Sequence, residues 1–211
     1  MKKVFTVSVL VVLALNFLAC KSEKKPDYSK ETKVEEVKKK STAPFVIENA
    51  KNEINFTAYK TTDKVAVGGQ FKKVDVISGG EGNSVKEAIH NTEFSIPVSS
   101  LFTKDTSRDY KIKKFFFGVM DKTKLLSGKL VLENDSIGYT NLKMNGVTKQ
   151  VPFSYTIEGK TFSMKATMDI GNWNALEALS SLNTVCKDLH KGADGVSKTW
   201  SDVALNITTT F

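Results

Sequence analysis

Residues 151–170 read VPFSYTIEGKTFSMKATMDI, and this stretch decides the fold class. Apolar side chains occupy every second position of residues 151–157 and again of residues 162–170. Serine, threonine, lysine and acidic residues fill much of the alternate set. A period of two is typical of antiparallel strands with one buried face, and residues 158–160 supply a turn between them. The stretch therefore predicts a β-hairpin.

The same alternation marks further strands between residues 44 and 211. The alternating apolar sets are Ile54 and Phe56; Val65, Val67 and Phe71; Phe94, Ile96 and Val98; Leu130 and Leu132; and Val203, Leu205, Ile207, Thr209 and Phe211. Asn145-Gly146 is the strongest two-residue hairpin turn in the chain. Gly68-Gly69, inside one apolar set, predicts a β-bulge or a sharp bend of the kind that barrel corners need.

Two segments follow a helical period instead. Residues 105–117 begin with an acidic residue and continue with phenylalanine and lysine. Residues 174–191 have leucines at helical spacing, with Asn172 or Asn174 as the N-cap and Gly192 as the stop. Many strands with one or two short helices predict an all-β fold, a closed barrel or a sandwich, rather than an α/β fold.

The N-terminus has the pattern of an export signal. Lys2 and Lys3 precede residues 4–19, which carry no charge and are shorter than the about 20 apolar residues of a membrane-spanning helix. Ala19-Cys20 ends this stretch, and a small residue before a cysteine at that place is typical of a bacterial lipoprotein. We therefore interpret residues 1–19 as a lipoprotein signal peptide and Cys20 as the lipid anchor. An ordinary signal or membrane anchor with a chance cysteine is the alternative.

Charged residues are distributed unequally between the N-terminal part of the chain and residues 44–211. Residues 20–43, rich in lysine, glutamate, serine and threonine, predict a flexible charged tether after the lipidated cysteine. The whole chain carries a net charge of +8, but residues 44–211 contain 21 basic and 18 acidic side chains. No basic stripe interleaved with aromatic residues is present, so the sequence excludes nucleic acid as a partner.

The inventory of catalytic groups is small. His90 and His190 are the only histidines, and no His, Cys, Asp or Glu cluster has the spacing of a metal site. The sequence contains no glycine-rich phosphate loop, nucleophile elbow or HExxH motif. These features predict a binding protein rather than an enzyme, with no catalytic residue, no metal and no cofactor beyond a bound apolar lipid.

Three polar features have alternative interpretations. His90 shares the phase of Phe94, so it is either a hydrogen-bonded core or rim histidine or a ligand-binding one. Arg108-Asp109 is a structural pair or an electrostatic feature of a helix start. Cys186 is the only cysteine besides Cys20, and we expect a buried or partly buried thiol, with a reactive or intermolecular role as the alternative.

Four stretches resemble one known family. Residues 67–71, VGGQF, resemble its V-x-G-x-F strand, and residues 107–116, SRDYKIKKFF, resemble its RD-x-H-L-K-x-x-x-F-F helix region. Residues 144–151, MNGVTKQV, are similar to its L-x-G-V-T-K-P-V hairpin. Residues 162–171 with 202–205 are similar to its last two strands. The family is the YceI-like family of periplasmic lipid-binding proteins, and the resemblance covers residues 45–211.

The resemblance implies an extended, lipocalin-like antiparallel β-barrel of about eight strands over residues 44–211. Its tunnel would hold a long polyisoprenoid, an isoprenoid quinone or a similar apolar tail. Three departures concern the ligand site. Tyr110 stands where the family has histidine, Tyr59-Lys60 stands near a second histidine position, and residues 174–191 form an insertion that could cap the tunnel mouth.

Aromatic and methionine side chains are the candidate tunnel lining. The predicted ligand-binding residues are Phe56, Val67, Phe71, His90, Phe94, Phe116, Phe153, Phe162, Met164 and Met168. We therefore expect a lipoprotein anchored through Cys20 that binds a long apolar lipid for sequestration or transport. The alternative is a structural or protein-interaction lipoprotein whose barrel is filled by its own side chains, with a protein partner that the sequence does not identify. The expected location is the cell envelope, at the outer membrane facing the periplasm, with the cell surface as the alternative.

Overall fold

The computed structural model describes residues 41–211, which are built mainly of β-strands. The strands are β1 (Phe45–Val46), β2 (Lys51–Lys60), β3 (Val65–Phe71), β4 (Asp75–Ser78), β5 (Glu81–Gly82), β6 (Glu93–Pro97), β7 (Leu101–Phe102), β8 (Leu125–Leu132), β9 (Ile137–Met144), β10 (Val147–Glu158), β11 (Thr161–Asp169) and β12 (Asp202–Thr210). The α-helices are α1 (Val85–Ile89), α2 (Thr106–Phe115) and α3 (Leu176–Val185). The predicted signal peptide, Cys20 and most of the predicted tether lie outside the described residues.

The main sheet closes on itself as an antiparallel barrel. Its strand order is β4-β6-β8-β9-β10-β11-β12-β2-β3-β7. Three residues separate β3 from β4, and three separate β6 from β7, so each of these pairs is one long bent strand. The two bent strands lie side by side, because β4 pairs with β6 and β3 pairs with β7. Counted this way, the barrel within residues 41–211 has eight strands, which confirms the predicted all-β barrel of about eight.

Residues 151–158 of β10 and residues 161–169 of β11 form the predicted hairpin. The side chains of Val151, Phe162 and Met164 are almost fully buried in it. Asn145 and Gly146 join β9 to β10 with φ angles of 50° and 70°. Two positive φ angles are the geometry of a type I′ turn, which matches the right-handed twist of the strands. Both local predictions are confirmed.

Gly68-Gly69 does not form the predicted bulge. The pairing of β2 with β3 continues through both glycines without a shift of register. A Cβ atom at Gly69 would lie 2.8 Å from Cε1 of the Phe56 ring. The absence of a side chain at Gly69 therefore lets an aromatic ring lie against the strand backbone, which is another known reason for glycine in a strand.

Three short helices accompany the barrel in residues 41–211, one more than the two expected. The unpredicted helix α1 has five residues, too few to show a helical period, although Ser84 caps it by accepting the Glu87 N–H. Helix α2 starts after Asp105, as the sequence predicts. Helix α3 starts after Ala175 without a side-chain cap, because Asn174 has a left-handed conformation and ends the preceding 3-10 turn (Ile170–Trp173).

Different elements cover the two ends of the barrel. At one end, which we call the closed end, α1 packs against β8 and the small sheet of β1 and β5. Ile47, Ile89, Phe153 and Phe162 are buried there in one apolar cluster. At the other end, which we call the mouth, α2 packs against α3. Within residues 41–211, no helix has both the length and the apolar character needed to cross a membrane.

Candidate functional site

The barrel encloses an apolar cavity of about 230 Å³. Its wall includes the side chains of β11 from Phe162 to Met168 and those of β12 from Val203 to Thr209. Six residue steps at about 3.3 Å each make this wall about 20 Å long along the strands. The structure therefore contradicts the alternative of a barrel filled by its own side chains.

Polar groups on the cavity wall are few, and most are bonded to neighbouring protein atoms. At the closed end, Thr92 Oγ1 donates to the Ala88 carbonyl at 2.6 Å and Thr209 Oγ1 donates to Asn52 Oδ1 at 2.8 Å. Thr140 is the exception, because its buried Oγ1 has no hydrogen-bond partner within the described part of the chain. The wall thus favours an apolar chain, which needs few hydrogen bonds.

Seven of the ten predicted ligand-binding residues line the cavity. They are Phe56, Phe71, Phe94, Phe116, Phe162, Met164 and Met168. All except Phe116, which follows α2, lie on strands in the inward-facing phase that the alternation indicates. Inward-facing aromatic and thioether side chains are adaptable contacts for an apolar ligand.

The other three predicted residues do not line the cavity. The Phe153 ring packs over Gly138, where a Cβ atom would lie 2.8 Å from Phe153 Cζ, and contacts Tyr155 edge-on. Val67 is the third residue of β3 and is half-buried. His90 follows α1, before β6 begins, and its Nδ1 accepts the Leu132 N–H at 3.1 Å. The inward phase of Phe94 therefore does not extend to His90, which has a structural hydrogen bond instead.

The helical side of the cavity was not predicted residue by residue. Ile112 of α2 and Leu179 and Leu182 of α3 line it, together with Thr199 and Trp200 from the segment before β12. The insertion thus caps the mouth, as the sequence analysis expected. The spacing of Leu179 and Leu182 indicates an apolar helix face, but it does not say which part of the barrel that face covers.

Asp109 links α2 to β7. It is buried and accepts hydrogen bonds from the Thr103 N–H at 2.8 Å and the Thr103 hydroxyl at 2.6 Å. Arg108 pairs with Asp105 at 3.6 Å rather than with Asp109. The Arg108-Asp109 sequence is therefore not a buried ion pair, and Asp109 has the structural role.

Two groups at the mouth experience an unusual electrostatic environment. Burial raises the pKa of the Cys186 thiol, an effect that nearby Lys111, Lys60 and Arg108 partly oppose. Burial also lowers the pKa of His190, and the same three cations lower it further. The His190 Nδ1 lies 2.7 Å from the Thr199 Oγ1. His190 is therefore neutral at neutral pH and acts as a hydrogen-bonding group. Within residues 41–211, no three His, Cys, Asp or Glu side chains are grouped as metal ligands.

Comparison with known families agrees with the geometry. The sequence matches the model of the YceI-like domain over residues 45–211. The chain belongs to the YceI-like family. No curated protein sequence matches this chain.

Several solved protein structures are similar in fold to this chain. A polyisoprenoid-binding domain from Saccharophagus degradans, implicated in plant cell wall breakdown, is 10% identical with a TM-score of 0.55 over 75% of this chain and 91% of that chain. BcnA from Burkholderia cenocepacia is 15% identical with a TM-score of 0.51 over 79% of this chain and 99% of that chain. A Campylobacter jejuni YceI protein is 19% identical with a TM-score of 0.47 over 66% and 81%. The first two likenesses confirm the barrel fold.

Proposed function

We propose that this protein is a membrane-anchored lipoprotein whose barrel binds one long apolar lipid, a polyisoprenoid or an isoprenoid-quinone-like molecule. The observation that carries the proposal is the elongated apolar cavity between the closed end and the mouth. Each buried CH₂ group of a ligand contributes about 0.8 kcal/mol, so a long tail binds there without many polar contacts. The role is sequestration or transport of the lipid, and binding rather than catalysis.

The comparisons support the ligand class. The structural relative from Saccharophagus degradans is described as a polyisoprenoid-binding domain. The barrel of this chain has an apolar cavity lined by aromatic and methionine side chains, which suits a ligand of that class. An unbranched or isoprenoid chain is flexible enough to follow such a wall.

The anchor and the location follow from the sequence. Cys20 directly follows the proposed signal peptide, and its acyl chains would hold the protein on a membrane of the cell envelope. We place it at the outer membrane facing the periplasm, with the cell surface as the alternative. The tether over residues 20–43 would let the barrel move away from that membrane.

Native mass spectrometry of residues 44–211, purified under gentle conditions from its own or a related host, tests the proposal. We expect folded protein with one discrete additional mass that extracts into organic solvent. Clean ligand-free protein that takes up neither isoprenoid quinones nor fatty acids on titration would overturn lipid binding.

Two variants test the cavity itself. Ala58→Phe places a ring on the wall and Met164→Lys places a charge there, and both should reduce bound lipid in protein that remains folded. Thr167→Lys is the matched control, because Thr167 is exposed on the outer face of the same strand as Met164. Undiminished lipid in a folded Ala58→Phe variant would exclude this cavity as the site.

A further inference from the structure

Thr140 is a polar residue of the cavity wall with an unpaired hydroxyl. It belongs to β9, its side chain lines the cavity, and only 4% of the residue is exposed. Its Oγ1 has no hydrogen-bond partner among the atoms of residues 41–211. A buried hydroxyl without a partner is unfavourable, and native proteins pair nearly all such groups. An unpaired hydroxyl on a cavity wall therefore indicates a partner on the molecule that fills the cavity.

Thr140 lies at the deep end of the cavity. The next two inward positions of β9, toward the mouth, line the cavity as well. The inward position on the other side, Gly138, is covered by the Phe153 ring, which belongs to the apolar cluster of the closed end. On β8, the last lining residue toward the closed end is Leu130, which pairs with Thr140. A ligand atom that bonds to Thr140 Oγ1 therefore lies at the floor of the cavity.

Gly128 leaves space beside the Thr140 hydroxyl. Leu126 and Leu130 line the cavity, so the position between them on β8, Gly128, also faces inward. A Cβ atom at Gly128 would lie 3.1 Å from Thr140 Oγ1 and 2.9 Å from Cζ of the Phe94 ring. The hydroxyl thus lies at the inner surface of the barrel, next to an aromatic ring that lines the cavity.

The surroundings of Thr140 favour an uncharged partner. No charged side chain of residues 41–211 lines the cavity. The hydroxyls of Thr92 and Thr209 already donate to the Ala88 carbonyl and to Asn52 Oδ1. An ionised carboxylate or phosphate at the floor would lose its hydration without a cation to compensate it, which is strongly unfavourable. A hydroxyl or carbonyl oxygen accepts a hydrogen bond from Thr140 without that cost.

We propose that the Thr140 hydroxyl donates a hydrogen bond to an uncharged oxygen, a hydroxyl or a carbonyl, at the inner end of the bound lipid. The inference rests on the proposed lipid-binding function and narrows it. The ligand is an apolar chain that carries a neutral oxygen group, and this group lies at the floor of the cavity. The rest of the chain extends past Leu142 and Met144 toward the mouth.

Tail-matched ligands test the contact in residues 41–211, which contain every strand of the barrel. Oleyl alcohol carries a hydroxyl, and cis-9-octadecene has the same chain without it. Both are titrated into wild-type protein and into Thr140→Val, because valine has nearly the shape of threonine but no hydroxyl. Each ligand is compared with itself in two proteins, so its solubility in water cancels. We expect Thr140→Val to weaken oleyl alcohol by about 3–10-fold and to leave the affinity for octadecene undiminished.

Two further variants are the controls. Thr140→Ser retains a hydroxyl and should bind oleyl alcohol more tightly, relative to octadecene, than Thr140→Val does. Thr156→Val makes the same substitution at an exposed position of the neighbouring strand β10 and should change neither affinity. If folded Thr140→Val protein binds both ligands as wild type does, or loses both equally, the Thr140 contact is overturned.

Two other outcomes separate the sources of failure. If neither ligand binds the folded wild-type domain, the proposed lipid-binding function itself fails. Oleate, titrated in the same way, tests the charge of the bound group. Its affinity should be the same in wild type and in Thr140→Val, because its carboxylate stays in water at the mouth. A loss for oleate as large as that for oleyl alcohol would contradict an uncharged group at the floor.

Discussion

The contact between Gly69 and Phe56 sets part of the cavity wall. The ring of Phe56 lies so close to the Gly69 backbone that a Cβ atom there would meet both Cε1 and Cζ of the ring. Gly68, the preceding residue, has open space around the same position. Position 69 therefore requires glycine because a side chain there would meet the Phe56 ring, whereas position 68 has room for a side chain.

Gly69→Ala should displace the Phe56 ring and lower the free energy of unfolding by about 1–3 kcal/mol, the usual cost of overpacking. Gly68→Ala should leave that free energy nearly unchanged. Urea denaturation of the ligand-free domain measures both variants. If the two substitutions have equal effects, the ring contact does not explain the glycine.

His190 gives the domain a defined response to acid. Burial and the cations Lys60, Arg108 and Lys111 lower its pKa in the folded state. Below its ordinary pKa of about 6.5, the unfolded chain binds a proton at His190 that the folded domain does not. The free energy of unfolding should therefore fall as the pH drops through about 6.5, by at most about 1.4 kcal/mol per pH unit from this group.

His190→Gln should remove that part of the pH dependence. The measurement is urea denaturation of ligand-free protein at several pH values between 7.5 and 5. Lys187→Gln, an exposed change nearby, should retain the wild-type slope. A His190→Gln variant with the wild-type slope would contradict the assignment.

At the scale of elements, the β9–β10 turn joins the barrel to both coverings of the mouth. Asn145 Oδ1 accepts the Asp121 N–H at 2.8 Å, and its amide donates to the Trp173 carbonyl at 2.9 Å. Asp121 follows the segment after α2, and Trp173 precedes α3. One turn residue thus fixes two loops that the sequence places far apart.

Asn145→Ala should reduce the free energy of unfolding by about 2–3 kcal/mol, because it removes these hydrogen bonds and places alanine at a φ of 50°. Asn145→Asp keeps the acceptor and tolerates the left-handed conformation, so its loss should be smaller. Thermal and urea denaturation test the order of the three proteins. An alanine variant as stable as wild type would contradict the role of the turn.

For the whole molecule, we propose membrane attachment through Cys20, which lies outside the described residues. Cys20→Ser should move the protein from the membrane fraction to the soluble fraction of the cell envelope, because lipidation requires the thiol. Fractionation followed by mass spectrometry of the N-terminal peptide measures this. Unchanged membrane attachment of the serine variant would leave the alternative of an ordinary membrane anchor.

The sequence alone predicts much of the barrel, because alternation within a strand directly determines which side chains face inward. Phe162, Met164 and Met168 were found in this way, and they line the cavity. His90 was misplaced, because the short helix α1 ends the inward phase before reaching it. Phe153 was predicted correctly to be buried, but its ring packs in the apolar cluster of the closed end. The periodicity of a strand shows which face a side chain occupies and not how far along the barrel it lies.

Local patterns by themselves determined the strands, the Asn145-Gly146 turn and the family. The hollow interior depended on the tertiary structure, because the same inward aromatic side chains either fill a small barrel or line a cavity according to its diameter. The closeness of Lys60, Arg108 and Lys111 to His190 also required it. Arg108 and Lys111 lie 48 and 51 positions after Lys60 in the chain. Only the closing of the barrel and the packing of α2 against α3 bring their charges close to His190.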